Sequence, residues 1–282
     1  MFQIYFTEEL DEPSQAYIHK QFIIEEQKFC KQKENIEIIV YVHSAIYRVE
    51  RRKIIRETWG SALNYNLPLS VVFMVGKSKN DTEAEIVRRE SEIYHDIVQG
   101  NYTDGYKLLT YKALNALFWV NKHCDKVPWT MHADDDIMVN DFLLLNYLNK
   151  VQISDEANHN FLCKLFSYPP VLRKGTHRVS FKKYKHRYYP PFCQGPMWLI
   201  RTNMIPKLLN AVNMTEFWWI DDLYLTGFLA KNANIGRIHL PYLTFTKNVK
   251  GYRLRNIATL MNDQNAYEWW NKIVKKYTGL LN

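Results

Sequence analysis

Three carboxylates stand in a row at Asp134, Asp135 and Asp136, and an acidic pair, Asp221 and Asp222, follows the aromatic run Phe217, Trp218, Trp219. Adjacent like charges repel. A folded chain therefore keeps such a triplet where water solvates it, where it caps a helix, or where a cation neutralises it. Hard ions such as Mg²⁺ or Mn²⁺ take one or two protein carboxylates and complete their shell with water and phosphate oxygens, so the cation reading calls for a diphosphate ligand. An N-cap for the following segment fits the same spacing. The second pair has the same two readings: the start of a helix, or carboxylates facing a sugar-sized pocket walled by Trp218 and Trp219. Inverting transfer of a sugar needs one base for the acceptor hydroxyl and one positive centre for the departing diphosphate, which one carboxylate from each cluster can supply.

The elements that must position these groups alternate. IEIIVYVHS from Ile36 reads as a strand, RRKIIRETW as a helix closed by Gly60, PLSVVFMVG as a strand, and Asp81 to about Tyr94 as a charged helix. His95 to Val98 reads as a short third strand, GNYTDG as a turn, and Tyr106 to Lys122 as a helix with Leu109, Ala113, Leu117 and Val120 on one face. VPWTMHADDD then ends a strand on the triplet. This alternation predicts an α/β fold with a mainly parallel central sheet, helices on both faces and ligands beyond the carboxyl ends of the strands. Further on, PPFCQGPMWLIR reads as a turn entering a strand, Asp221 to Lys231 as a helix, and Asn265 to Tyr277 as a final amphipathic helix.

A chain of 282 residues with 47% hydrophobic content is large enough for one substantial domain. Lys and Arg exceed Asp and Glu by 37 to 29, a net charge of +8 that favours an anionic partner. From Arg173 to Arg187 there are seven Lys or Arg and two His but no acid, a basic loop that fits an acidic ligand or plain solvent exposure. The longest apolar runs are strand-sized, and the N-terminus MFQIYFTEELDEP has neither the basic start nor the apolar stretch of a signal peptide. Cys30, Cys124, Cys163 and Cys193 form no CxxC pair, which argues against structural zinc and leaves three disulfide connectivities open. Asn80, Asn101 and Asn213 each begin a glycosylation sequon and lean towards the secretory route. There is no GxxxxGK[ST], GxGxxG, GxSxG or HExxH motif. Single-stranded nucleic-acid binding would rest on charge and aromatics alone, so nucleic acid is not an expected partner.

In order along the chain, Arg51 to Gly60 resembles the RRxxIRxTW signature of the β-1,3-galactosyltransferase and β-1,3-N-acetylglucosaminyltransferase family, glycosyltransferase family 31. VVFMVG resembles that family's next strand, and Glu90-Ser91 with Tyr94, Asp96 and Ile97 its ESxxYxDI segment. Tyr106, Thr110 and Lys112 match its YxNLTxK helix start, Asp134 to Asp136 its DDD, YPPFCQG its YPPYCxG, and DDLYLTG its EDVYxTG. The resemblance implies a GT-A-type fold, a UDP-sugar donor, Mn²⁺ or Mg²⁺, inversion with a β-1,3 linkage to a glycan acceptor, and a lumenal Golgi setting through an anchor not visible in this sequence. It implies a stem-like extension over residues 1–35 and one catalytic domain over 36–282, with a donor half to about 140 and an acceptor half beyond. Carried across, Asp136 becomes the metal ligand, Asp134 and Asp135 donor contacts, Asp222 the base, and Arg56 and Lys112 nucleotide-pocket residues. Trp218, Trp219 and Asp221 are the acceptor-pocket candidates. The chain departs from the family at Leu108 (usually Asn), Asn101 (often Asp), Asp221 (usually Glu), and Ala258 to Met261, where a second metal ligand, a His, is expected. His239 substitutes for it by sequence position only. These departures carry the alternative expectation: a family member that binds nucleotide sugar or glycan without turnover.

Overall fold

The computed structural model describes residues 21–33, 35–78, 80–151, 155–245 and 253–279. The stretch Met1 to Pro13, read above for a signal peptide, lies outside them. An eight-stranded sheet is built from β1 (Phe22–Ile24), β2 (Ile38–His43), β3 (Leu69–Lys77), β4 (Ile97–Thr103), β5 (Trp129–Asp134), β7 (Asn160–Phe166), β8 (Phe192–Arg201) and β9 (Gly236–His239). Their spatial order is β1-β4-β3-β2-β5-β8-β7-β9. The central run β4-β3-β2-β5 is parallel, β8 turns antiparallel against β5 and β7, and β1 and β9 close the edges. β6 (Ile137–Val139) forms a small second sheet with β10 (Leu243–Thr244) and β11 (Ala258–Leu260).

The central strands are apolar without alternation because both faces are covered. Along β2, Val40 and Val42 belong to one core while Ile39 and Tyr41 belong to the other. The first core takes up α1 (Val49–Glu57), α4 (Asp141–Val151) and α8 (Ala266–Thr278), whose Trp269, Trp270, Ile273 and Val274 are buried. The second takes up α3 (Leu109–His123), α5 (Ile205–Ala211) and the helix that opens at Asp221. The charged α2 (Asp81–Tyr94) is N-capped by Asn80, whose side chain accepts from Thr82 N–H at 2.8 Å.

Several expectations need revision. β4 runs on to Thr103, through residues read as a turn, and the missing side chain of Gly100 leaves room for the Tyr102 ring. His95 is the left-handed C-cap of α2, not the first strand residue. α1 ends at Glu57 and continues into a 3₁₀ segment, Trp59–Tyr65, rather than stopping at Gly60. The helix at Asp221 is split into α6 (Asp221–Leu223), a π turn (Tyr224–Leu229) and α7 (Ala230–Asn232). Residues 21–33, ahead of the expected domain start, are tied to it: β1 pairs with β4, and Cys30 is bonded to Cys124. The second disulfide joins Cys163 to Cys193 across β7 and β8.

Candidate active site

The triplet occupies the carboxyl end of β5 and the two-residue turn into β6. A strand follows it, so it caps no helix, and that reading falls away. Asp135 is 1% exposed; its Oδ1 accepts from Arg48 at 2.5 Å and Arg51 at 3.3 Å, while its Oδ2 has no hydrogen-bond partner among the described residues. Arg51 also lies 3.6 Å from Asp136 and 3.4 Å from Asp263. The Asp136 carboxylate is 40% exposed. Burial, then the charges of Asp134 and Asp135, push its pKa up against the pull of Arg51 and Arg48. The turn is held from behind by Trp59, whose indole N–H donates to Ile137 O at 3.0 Å, and by Met261 N–H, which donates to Asp136 O at 2.6 Å.

The triplet lines a cavity of about 690 Å³ together with His43 to Arg48, Asp104, Tyr106 and Lys112. Lys112 is buried and donates to Ser44 O at 2.7 Å and to Asp104 at 2.8 Å, so it fixes the loop after β2 to the end of β4.

A second cavity of about 510 Å³ adjoins it and shares Tyr106, Leu109 and Asp134 with it. Asp221, Asp222, Gly195 and Trp219 lie on its wall. Here the acidic pair does begin a helix, but its side chains face the cavity. Asp222 Oδ1 accepts from Leu223 N–H at 2.7 Å. Gly195 lets β8 come close: a Cβ there would sit 3.2 Å from Asp222 Oδ2. Thr226 locks the arrangement, donating to Asp222 O at 2.6 Å and accepting from Cys193 N–H at 2.9 Å. The π turn that follows leaves carbonyls free, and the Arg237 guanidinium donates to those of Thr226 and Gly227. Burial first, and then Asp221, raises the pKa of Asp222, with the N–H groups of Leu223 and Gly195 opposing. Asp221 is raised by burial and by Asp134, against the pull of His132.

The galactosyltransferase family profile matches residues 50–241, about two thirds of the chain and a span holding both acidic clusters. The chain belongs to the galactosyltransferase family. It is similar to human beta-1,3-galactosyltransferase 2 (29% identity over 217 residues, 76% of this chain and 51% of the relative). It is likewise similar to the Rattus norvegicus lactosylceramide 1,3-N-acetyl-beta-D-glucosaminyltransferase (27% over 227 residues, 77% and 59%) and to Mus musculus beta-1,3-galactosyltransferase 1 (28% over 214 residues, 75% and 65%). The chain thus spans between half and two thirds of these relatives' lengths. Among solved structures, the WbbM bifunctional glycosyltransferase matches 87% of this chain and 52% of its own at 10% identity and a TM-score of 0.45.

Not every residue picked from the sequence reaches the site of this galactosyltransferase-family chain. Arg56 lines neither cavity. It makes a two-pronged pair with Asp96 at 2.7 and 2.8 Å, bonds Glu90 at 2.7 Å and stacks on Tyr94. With the fully buried Arg52, also paired to Glu90, it ties α1 to α2, so the second and third arginines of the RRxxIRxTW block and the Glu and Asp of the ESxxYxDI block hold the fold, while Arg51 alone of the three arginines turns to the triplet. Trp218 is 4% exposed among Tyr184, Tyr189 and Phe228, whereas Trp219 reaches the second cavity and stacks on His177. His239 lies on β9, three strands from β5, where its Nδ1 accepts from Leu165 N–H. At the position of the expected second His, β11 pairs with β6 and the chain carries Ala258 to Met261.

Sequence reasoning missed Arg48 and Arg51 beside the triplet, and His177, whose Nε2 meets Tyr106 OH at 2.5 Å. Arg51 had a signal, as the first of two adjacent arginines in a helix that turns its faces to different partners. The basic loop is organised by Arg173, which donates to Val179 O, Tyr184 O and His186 O and stacks on Phe181.

Proposed function

We propose that this chain is an inverting hexosyltransferase that moves galactose or N-acetylglucosamine from a UDP-sugar to a glycan hydroxyl, forming a β-1,3 linkage. One observation carries the reading: the two acidic clusters face two cavities that meet at Asp134, Tyr106 and Leu109. The larger has the carboxylates and the Arg48 cation for a nucleotide diphosphate, and the smaller has half-buried carboxylates and a stacked aromatic for a sugar. Both 1,3-transfer and the choice between the two sugars are supported by the names of the relatives.

The side chains present fit Mn²⁺ or Mg²⁺. Asp134 and Asp136 offer hard oxygens on one turn, and the pKa of Asp136 is raised first by burial and then by the charges of Asp134 and Asp135, which a divalent ion would offset. Such an ion, when bound, neutralises charge building on the departing diphosphate. Asp136 would hold it, Asp134 would face the donor, and Asp135 would set Arg48 and Arg51 towards the phosphates. Asp222 takes the proton of the acceptor hydroxyl as that oxygen bonds the anomeric carbon and the carbon–diphosphate bond breaks. Its raised pKa makes it a stronger base than a solvated aspartate, and the N–H groups of Leu223 and Gly195 keep it aimed. Trp219 and Asp221 would orient the acceptor.

We place the catalytic domain from about Phe22, since β1 and Cys30 are integral to it. Two disulfides support a lumenal, secretory setting, and the Golgi is the compartment proposed from the family resemblance. No helix among the described residues is long and apolar enough to cross a membrane.

The absence of a His at Ala258 to Met261 favours a second reading, binding without turnover. Incubation with UDP-galactose or UDP-N-acetylglucosamine, Mn²⁺ and a panel of glycan acceptors decides. Product with one donor supports transfer. UDP binding by calorimetry with no product from either donor supports the second reading.

A further inference from the structure

At the seam of the two cavities lie two imidazoles, His43 and His132, that the proposed transfer chemistry does not use, beside the carboxylates of Asp134 and Asp221. β2 and β5 are parallel neighbours, with Tyr41 opposite His132 and His43 opposite Asp134. Because side chains alternate along a strand, all four project from one face. The liganding atoms of His43, His132 and Asp134 lie within 4.8 Å of one another, and the imidazole centroids are 4.4 Å apart. His132 Nε2 is 3.6 Å from Asp134 Oδ1. From the start of α6, Asp221 brings its Oδ2 to 3.8 Å from His43 Nδ1.

Both rings are enclosed, His43 at 5% and His132 at 2% exposure, against Tyr41 and Trp198. Among the described residues, neither His43 nitrogen has a hydrogen-bond partner, nor has His132 Nδ1. Three unsatisfied ring nitrogens in so small a volume cost about 1–3 kcal/mol each, unless something not of the chain binds them. An ordinary packed histidine finds a carbonyl or hydroxyl. Water would satisfy a nitrogen but would leave the convergence of two carboxylates unexplained.

We infer that His43, His132, Asp134 and Asp221 form a binding site for a transition-metal ion of the Zn²⁺ class, distinct from the hard-cation position at Asp136. Two nitrogens and two carboxylate oxygens are the mixed donor set that Zn²⁺ and Co²⁺ accept and Mg²⁺ does not favour. Ligand atoms around a tetrahedral Zn²⁺, with bonds of about 2.0–2.2 Å, stand roughly 3.3–3.5 Å apart, so rotations moving atoms by about an ångström close His43, His132 and Asp134 on an ion, and Asp221, near His43 but outside that close group, would swing in as the fourth ligand. The ion would fix Asp134, which faces both cavities, against Asp221, which faces only the second. The inference rests on this geometry and not on the transfer reading.

The test uses untagged full chain, stripped with a chelator and titrated with Co²⁺ alone, then Zn²⁺, followed by visible absorption and calorimetry. Wild type is expected to bind one Co²⁺ with the intense absorption of a four-coordinate ion, displaced by one equivalent of Zn²⁺. His132→Gln and, separately, His43→Gln should weaken that binding at least tenfold, while Asp136→Asn keeps it. Near-UV circular dichroism identifies which His variant is folded and therefore informative. The inference is overturned if folded wild type shows no such absorption, if a folded His variant keeps it, or if Asp136→Asn alone abolishes it.

Discussion

At Asp134 to Asp136 the chain turns between two strands with Arg48 and Arg51 alongside, whereas at Asp221 and Asp222 a helix begins with backbone N–H groups, Gly195 and an imidazole for company. Both clusters carry raised carboxyl pKa values, yet for different purposes. Beside the arginines, burial and then the charges of Asp134 and Asp135 raise the pKa of Asp136, which stands half-open to a cavity. In the other cluster no arginine or lysine among the described residues pairs with Asp222, and burial, then its neighbour Asp221, raises its pKa. Under the proposed function, identical side chains take the two roles of transfer from what surrounds them.

Substitutions should separate those roles. Asp222→Asn keeps the shape and removes the base, and should lower the transfer rate by about 10²–10⁴-fold, read as product per enzyme at saturating donor. Asp136→Asn should weaken Mn²⁺-dependent UDP binding about tenfold or more, a loss of at least ~1.4 kcal/mol by calorimetry. The neighbouring tryptophans should part company. Trp218→Ala should cost about 3–5 kcal/mol in denaturant unfolding. Trp219→Ala should change stability by within ~0.5 kcal/mol and instead raise the acceptor KM.

The smallest effect is one of pH. Transfer needs Asp222 ionised and its pKa is raised, so kcat/KM should fall as pH drops while still above the ordinary carboxylate range. Asp221→Asn removes the like charge and should move that acid limb to lower pH. A limb that stays put would show that Asp221 does not tune Asp222.

The parallel centre of the fold was legible because β2, β3 and β5 are apolar runs separated by helical periodicity. Short or edge elements such as β1, β6, β9 and β11 were not, since three or four residues carry no period and their pairing is set by distant partners. Both acidic clusters were visible as composition. What removed the cap reading was the residue after the triplet, Ile137, entering a strand, and that placement is tertiary. Arg56 and Trp218 were misplaced for a shared reason: a motif block marks residues that matter but does not say whether to the ligand or to the core. The imidazoles of His43 and His132 are 89 positions apart and meet only through strand register.

The division of labour is tested most directly on one sample of Asp222→Asn, by calorimetry with UDP and Mn²⁺ alongside the product assay. Unchanged UDP affinity with product lost is the expected result. Product at the wild-type rate, or UDP affinity lost together with turnover, would contradict the assignment of the triplet to the donor and of Asp222 to the proton.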